Sequence, residues 1–126
     1  MDTGQNILFN IGLEDKMAKV DSFRITPSIR ADNPVYRIDD FPFEGYIVST
    51  TELHPFQNTK GHFHLHREFY LFLSCGIFPN TVLLMLGNDL FEVFEGDAFE
   101  IPPNIFHRVY NRADKPTKFL CVFRKP

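Results

Sequence analysis

The stretch TKGHFHLHREFY, Thr59 to Tyr70, carries His62, His64, His66 and Glu68 at alternate positions. Alternate residues of a β-strand share one face. His62 and His64 would then project side by side, close enough for both imidazoles to reach one ion. Three residues separate His64 from Glu68, enough for the chain to bend and present the carboxylate from a following strand. Two imidazoles and a carboxylate suit one divalent Fe, Mn, Ni or Zn ion and leave coordination positions open for a ligand. The competing reading is a solvated polar strand end, because histidines and acids usually lie at the surface.

The elements that must position these side chains read as strands. YIVSTTEL (46–53), EFYLFLSC (68–75), NTVLLML (80–86), LFEVF (90–94), AFEI (98–101), IFHRVYN (105–111) and TKFLCVF (117–123) are short, rich in β-branched and aromatic residues, and separated by turn signals. Gly87-Asn88-Asp89 reads as a hairpin loop and Glu95-Gly96-Asp97 as a further turn. Such spacing predicts an all-β sandwich, jelly roll or barrel. The first third is less regular: residues 12–20 could make one or two helical turns, and residues 21–29 and 33–41 read as short extended pieces broken by Pro27, Pro34 and Pro42.

The chain has 126 residues and a mass of 14.7 kDa, the size of one domain with its own core. Fifteen Phe and no Trp predict an aromatic core. A net charge of -3 without a basic block argues against a nucleic-acid partner. The apolar runs are too short to span a bilayer and no secretory signal is visible, so a cytoplasmic protein is expected. Cys75 and Cys121 then read as buried free thiols; a disulfide would need their two strands to be neighbours.

A second segment, GDAFEIPPNIFHRVYN, sets Gly96, Pro102, Asn104, His107 and Asn111 at fixed spacing. It is similar to the second motif of the cupin superfamily, with Asn104 where the family has glycine; asparagine is the next best residue where φ is positive. The first stretch resembles the first cupin motif: a glycine, His-x-His, three residues, a glutamate, a short apolar strand and Gly76. The resemblance implies a cupin double-stranded β-helix, or jelly-roll barrel, over 46–124. Residues 1–45 would then be an irregular or strand-forming extension with the first strands, in a single domain of 1–126. It also implies that His62, His64, Glu68 and His107 are the metal ligands. His66 is then surplus, free to act as acid or base in the cavity, to substitute as a ligand, or to lie at the surface. His54 reads as a surface residue.

Within the superfamily, TTELHPFQNTKGHFH and PPNIFHRVYNRADKPTKFLCVF look like the corresponding segments of cupin-type glucose-6-phosphate isomerases, across residues 46–123. That likeness implies Thr51, Thr59 and Gly61 as substrate-binding positions and Tyr70 as a cavity tyrosine. Glu68, His66 and Tyr70 become the catalytic candidates, with Lys60 near a phosphate. The chain departs from those isomerases in a shorter spacing between His64 and Glu68, in Phe123 where they have a tyrosine, and in ending at Pro126 before a further His- and Tyr-containing segment. The expected function is a metal-dependent cupin acting on a small oxygenated metabolite, foremost a sugar phosphate isomerase. Alternatives are a non-catalytic small-molecule sensor and an iron dioxygenase. Small cupins commonly pair, often through N-terminal strands, so a homodimer is expected, with a small molecule as the only other partner and no membrane.

Overall fold

The computed structural model describes residues 25–126, apart from 77 and 80. The helical turns expected over residues 12–20 lie outside the described residues. Nine strands follow in chain order: β1 (Ser28–Asp32), β2 (Tyr36–Phe43), β3 (Tyr46–Leu53), β4 (Glu68–Ser74), β5 (Val82–Leu86), β6 (Asp89–Glu92), β7 (Ala98–Ile101), β8 (His107–Asn111) and β9 (Thr117–Arg124). They form a six-stranded sheet ordered β1-β2-β3-β9-β4-β7 and a three-stranded sheet ordered β6-β5-β8, with antiparallel pairing throughout. Among the described residues no helix is long and apolar enough to cross a membrane.

Alternation of side chains builds the two layers. On β4, Glu68, Tyr70 and Phe72 point inward while Phe69, Leu71 and Leu73 point out; on β8, His107, Val109 and Asn111 point inward. The core holds Leu53, Phe72, Val82, Leu84, Val93, Ile101, Val109 and Phe119. Phe72 lies edge-on to Phe99 with ring centroids 6.0 Å apart and tilted against Phe119 at 5.2 Å. Burying one such side chain contributes about 1.5–3 kcal/mol.

Several sequence expectations are refined by the pairing. The hairpin between β5 and β6 turns on Gly87 and Asn88 alone, because Asp89 already pairs with Leu86. Pro42 does not break the chain: it lies inside β2, opposite Ile47. The β1 pairing stops at Asp40, so the Pro42 side facing β1 needs no N–H donor. Strands β1 and β2 join the chain's own sheet. Asn104 has φ 65°, the left-handed conformation its place in the motif predicts. Phe56, at φ 60°, adopts the same conformation with no signal in the sequence.

Cys75 and Cys121 are both free. Their strands are neighbours, yet Cys121 faces Tyr70, five positions before Cys75. At about 3.3 Å per residue this offset is roughly 16 Å, well beyond the ~7 Å Cα separation a disulfide tolerates.

Candidate metal centre

The two histidine-bearing segments are held together by backbone hydrogen bonds. His62 N–H donates to His107 O at 3.1 Å and His107 N–H donates to His62 O at 2.8 Å, an isolated antiparallel bridge between the motifs. Such a pair puts the two side chains on the same face, and the imidazole centroids stand 4.3 Å apart. Upstream, Asn58 bridges to Tyr110, and the Thr59 N–H donates to Val109 O at 2.9 Å. Residues 57–64 thus run alongside β8 as an extended segment and not as a full strand. The left-handed turn at Asn104 aims its N–H at His64 O, 2.7 Å away.

The chain bends at Leu65 and His66, and parity survives the bend: Phe63, Leu65, Arg67 and Phe69 are exposed while the histidines and Glu68 face inward. Glu68 is 3% exposed and His107 1%. Glu68 Oε2 lies 3.3 Å from His64 Nε2 and 3.2 Å from His66 Nε2; Oε1 lies 3.4 Å from His107 Nε2. The Nδ1 atoms of His62 and His107 face the carbonyls of Lys60, at 2.8 Å, and Ile105, at 3.0 Å. If those nitrogens carry the protons, Nε2 of each ring is left as a lone-pair donor.

The donor atoms form two overlapping groups, His62-His64-His107 and His64-His66-Glu68, each within 4.8 Å and sharing His64. Glu68 Oε1 and His107 Nε2 are buried and face each other at 3.4 Å, and neither makes a well-formed hydrogen bond. Leaving such atoms unsatisfied costs about 1–3 kcal/mol each. Both are natural ligands of a divalent ion, so the cluster could hold one: His62, His64 and His107 supply one donor group, while Glu68 stands with His64 and His66 in the other.

Electrostatics agree with a site built for charge. Burial pushes the His64 imidazole below its ordinary range, against the opposing pull of Glu68. Burial alone would raise the Glu68 carboxyl, but the neighbouring rings of His107, His66 and His64 hold it below the usual value. The Tyr70 phenol is pushed well up by burial, with Cys121 and Glu68 adding to the effect. The Cys121 thiol is raised in the same way, by burial and then by Glu68.

The cluster lies at a cavity of about 460 Å³, where His62, His64 and Glu68 line one side with Tyr70. Thr51 and Thr59 also line it, whereas Gly61 does not. A Cβ on Gly61 would collide with the Phe106 ring, so packing accounts for the glycine. The Thr59 hydroxyl is committed to the backbone, accepting from Val109 N–H at 2.8 Å. His66 is half-buried, stacked between His64 (4.7 Å) and Phe123 (4.0 Å), and turned toward Glu68. His54 is half-buried in the loop after β3, outside both donor groups.

Two features were not singled out in the sequence. Asn111, 1% exposed, is a clamp: its amide donates to the carbonyls of Leu53, His54 and Lys115, and its oxygen accepts from Ala113 N–H. Its motif position was the signal, but without a role attached. Arg30, Tyr36, Ile38 and Asp40, all from β1 and β2, form the opposite wall of the cavity.

Comparison with known proteins follows the same lines. A cupin-domain family model matches residues 49–123. An uncharacterized protein of Methanocaldococcus jannaschii is 30% identical over 116 residues, covering 88% of this chain and 89% of the relative. Among solved structures, an RmlC-like cupin from Shewanella frigidimarina superposes with a TM-score of 0.68 at 13% identity, over 86% of this chain and 93% of that one. A conserved protein with a double-stranded β-helix domain from Klebsiella pneumoniae superposes at 0.64 with 20% identity, over 76% and 82% of the two chains.

Proposed function

The chain is a member of the cupin family, its two sheets the faces of a double-stranded β-helix, and on that premise we propose that it is a metal-dependent cupin acting on a small oxygenated metabolite, foremost as an aldose–ketose isomerase of a sugar phosphate. The observation that carries the metal reading is the buried pair Glu68 Oε1 and His107 Nε2, without a well-formed hydrogen bond beside a cavity large enough for a hexose-sized ligand. The isomerase reading is supported by the likeness of residues 46–123 to that enzyme class, and by His66 standing beside the donor set.

A divalent ion held by His62, His64, Glu68 and His107 would supply a Lewis acid for a substrate oxygen. The chain's own contribution is proton handling. For that role His66 Nε2 stands 3.2 Å from Glu68 Oε2 with the Phe123 ring stacked on it, although His66 itself is not among the cavity's lining residues. In the exchange a proton leaves C2 and one arrives at C1, while a hydroxyl proton moves from O2 to O1, so no oxidant or reductant is consumed. Tyr70 and Thr51 border the space such a substrate would fill.

A second reading, a sensor that binds without turnover, is favoured by Phe123. It puts an apolar ring over His66 where the isomerases have a phenol, and Ile38, Ile47 and Phe119 extend the apolar wall. The discriminating experiment loads purified protein with Fe, Mn, Ni or Zn, measures metal by elemental analysis, and follows interconversion of glucose 6-phosphate and fructose 6-phosphate. Turnover that His66→Ala abolishes at full metal occupancy supports the isomerase. Sugar-phosphate binding without turnover, with or without metal, supports the sensor, and absence of metal refutes the isomerase.

A further inference from the structure

One row of side chains crosses the inner face of the large sheet away from the metal cluster. Register places Tyr70 opposite Cys121, Cys121 opposite Ser49, and Ser49 opposite Asp40. Arg30 from β1 closes the row. Its Nε donates to both Asp40 oxygens, at 3.1 and 3.0 Å, and one terminal nitrogen donates to Ser49 Oγ at 3.1 Å. Ser49, 1% exposed, in turn donates to Asp40 Oδ1 at 2.9 Å. A half-exposed arginine on an outer strand would ordinarily extend into water. This one is drawn along the cavity wall by a buried serine and a carboxylate, and no acceptor among the described residues takes its remaining N–H groups.

The charge of the cavity points the same way. Among its lining residues Arg30 and Lys60 balance Asp40 and Glu68, two against two. A divalent cation would then leave an excess of two positive charges, which an anionic ligand complements. Three strand spacings separate Tyr70 from Asp40, roughly 14 Å along the sheet. The Arg30 side chain reaches back across part of that span.

We propose that Arg30, positioned by Asp40 and Ser49, is the specificity-determining residue of the cavity and receives a terminal oxyanion of the ligand, a phosphate monoester or a carboxylate. The planar guanidinium offers paired donors to two oxygens of either group. The inference rests on the reading of this cavity as a ligand site, and it names the residue that selects charge at the end remote from the metal.

The test titrates wild-type protein, Arg30→Gln and Arg30→Lys with glucose 6-phosphate, glucuronate and glucose by calorimetry, with metal content measured on each sample. Wild type is expected to prefer at least one charged sugar over glucose by tenfold or more. Arg30→Gln should lose that preference, a weakening of roughly tenfold to a hundredfold for one charge-assisted contact. Its metal content and its affinity for glucose should be unchanged, and Arg30→Lys should recover part of the loss. Preference for glucose 6-phosphate identifies a phosphate site, and preference for glucuronate a carboxylate site. The proposal is overturned if Arg30→Gln retains the preference, or if wild type binds none of the charged probes better than glucose. Failure of the metal reading is seen separately, as missing metal in the wild-type sample, because Arg30 is held by Asp40 and Ser49 and not by the metal ligands.

Discussion

Metal binding should be visible as stability, and the amount follows from the site. The donors are already converged, with Glu68 and His107 buried and their facing atoms without a well-formed hydrogen bond. A metal that binds only the folded state stabilises it by RT ln(1 + [M]/Kd), about 2.7 kcal/mol at a free concentration one hundred times Kd. For a chain of 126 residues this corresponds to a rise in Tm on the order of 10 °C. Removing one ligand and weakening binding a hundredfold would leave about 0.4 kcal/mol at the same concentration, a shift of only about 1–2 °C. Chelator-treated protein reconstituted with Fe, Mn, Ni or Zn and melted by circular dichroism gives the measurement. The two overlapping donor groups make the variants informative. His62→Ala and His107→Ala should cut the shift to about 1–2 °C, whereas His66→Ala should keep it in full. Loss of the shift in His66→Ala with retention in His62→Ala would place the ion in the other group. No shift with any of the four metals would refute the metal centre altogether.

Two further outcomes test the frame around the site. Asn111→Ala removes three donated bonds and one accepted bond from a buried position, so it should cost about 3 kcal/mol, read as a lower urea midpoint at unchanged slope; a loss under about 1 kcal/mol would mean the loops hold without the clamp. The proposed homodimer should scatter light as twice 14.7 kDa. Phe41, Val48, Val122 and Phe69 make one apolar row across the outer face of the large sheet, with Leu71 beside it, a self-complementary patch for a two-fold contact. Leu71→Glu should return the mass to that of one chain, and a monomeric wild type would refute the dimer.

The barrel strands were legible because their patterns are local. β3 and β7 occupy the spans read from YIVSTTEL and AFEI, and the others differ only at their ends. Asn104 was legible through its motif, since few residues besides glycine and asparagine accept a positive φ. The bridge between His62 and His107 was not legible as geometry, because it joins segments far apart in sequence, and only the family motif linked them. Gly61 was legible through the family motif, whereas the Phe106 ring that packs against its Cα was not. The Arg30–Asp40–Ser49 wall was hidden because β1 and β2 carry charges, and β2 a proline, where a strand signal expects alternation, and their identity as cavity wall depends on pairing with β3.

Burial along one strand face explains why the ligand set and the core cannot be separated. From His62 to Phe72 every second residue points inward, through the bend at Leu65, so the histidines and Glu68 grade into aromatic core without a change of face. Glu68 is the joint between them: Tyr70 and Phe72 follow it into the apolar interior, and three imidazoles approach its two oxygens from the other side. A carboxylate in that position is costly unless positive charge meets it. The histidine rings meet part of that demand, but rings 4.3 to 5.4 Å apart would repel one another if they were all protonated. A divalent cation resolves both demands at once, because it neutralises the carboxylate and accepts the lone pairs that imidazoles direct inward. The same cation would tilt the cavity toward positive charge, which links the donor set on one wall to the anion selection proposed for Arg30 on the other.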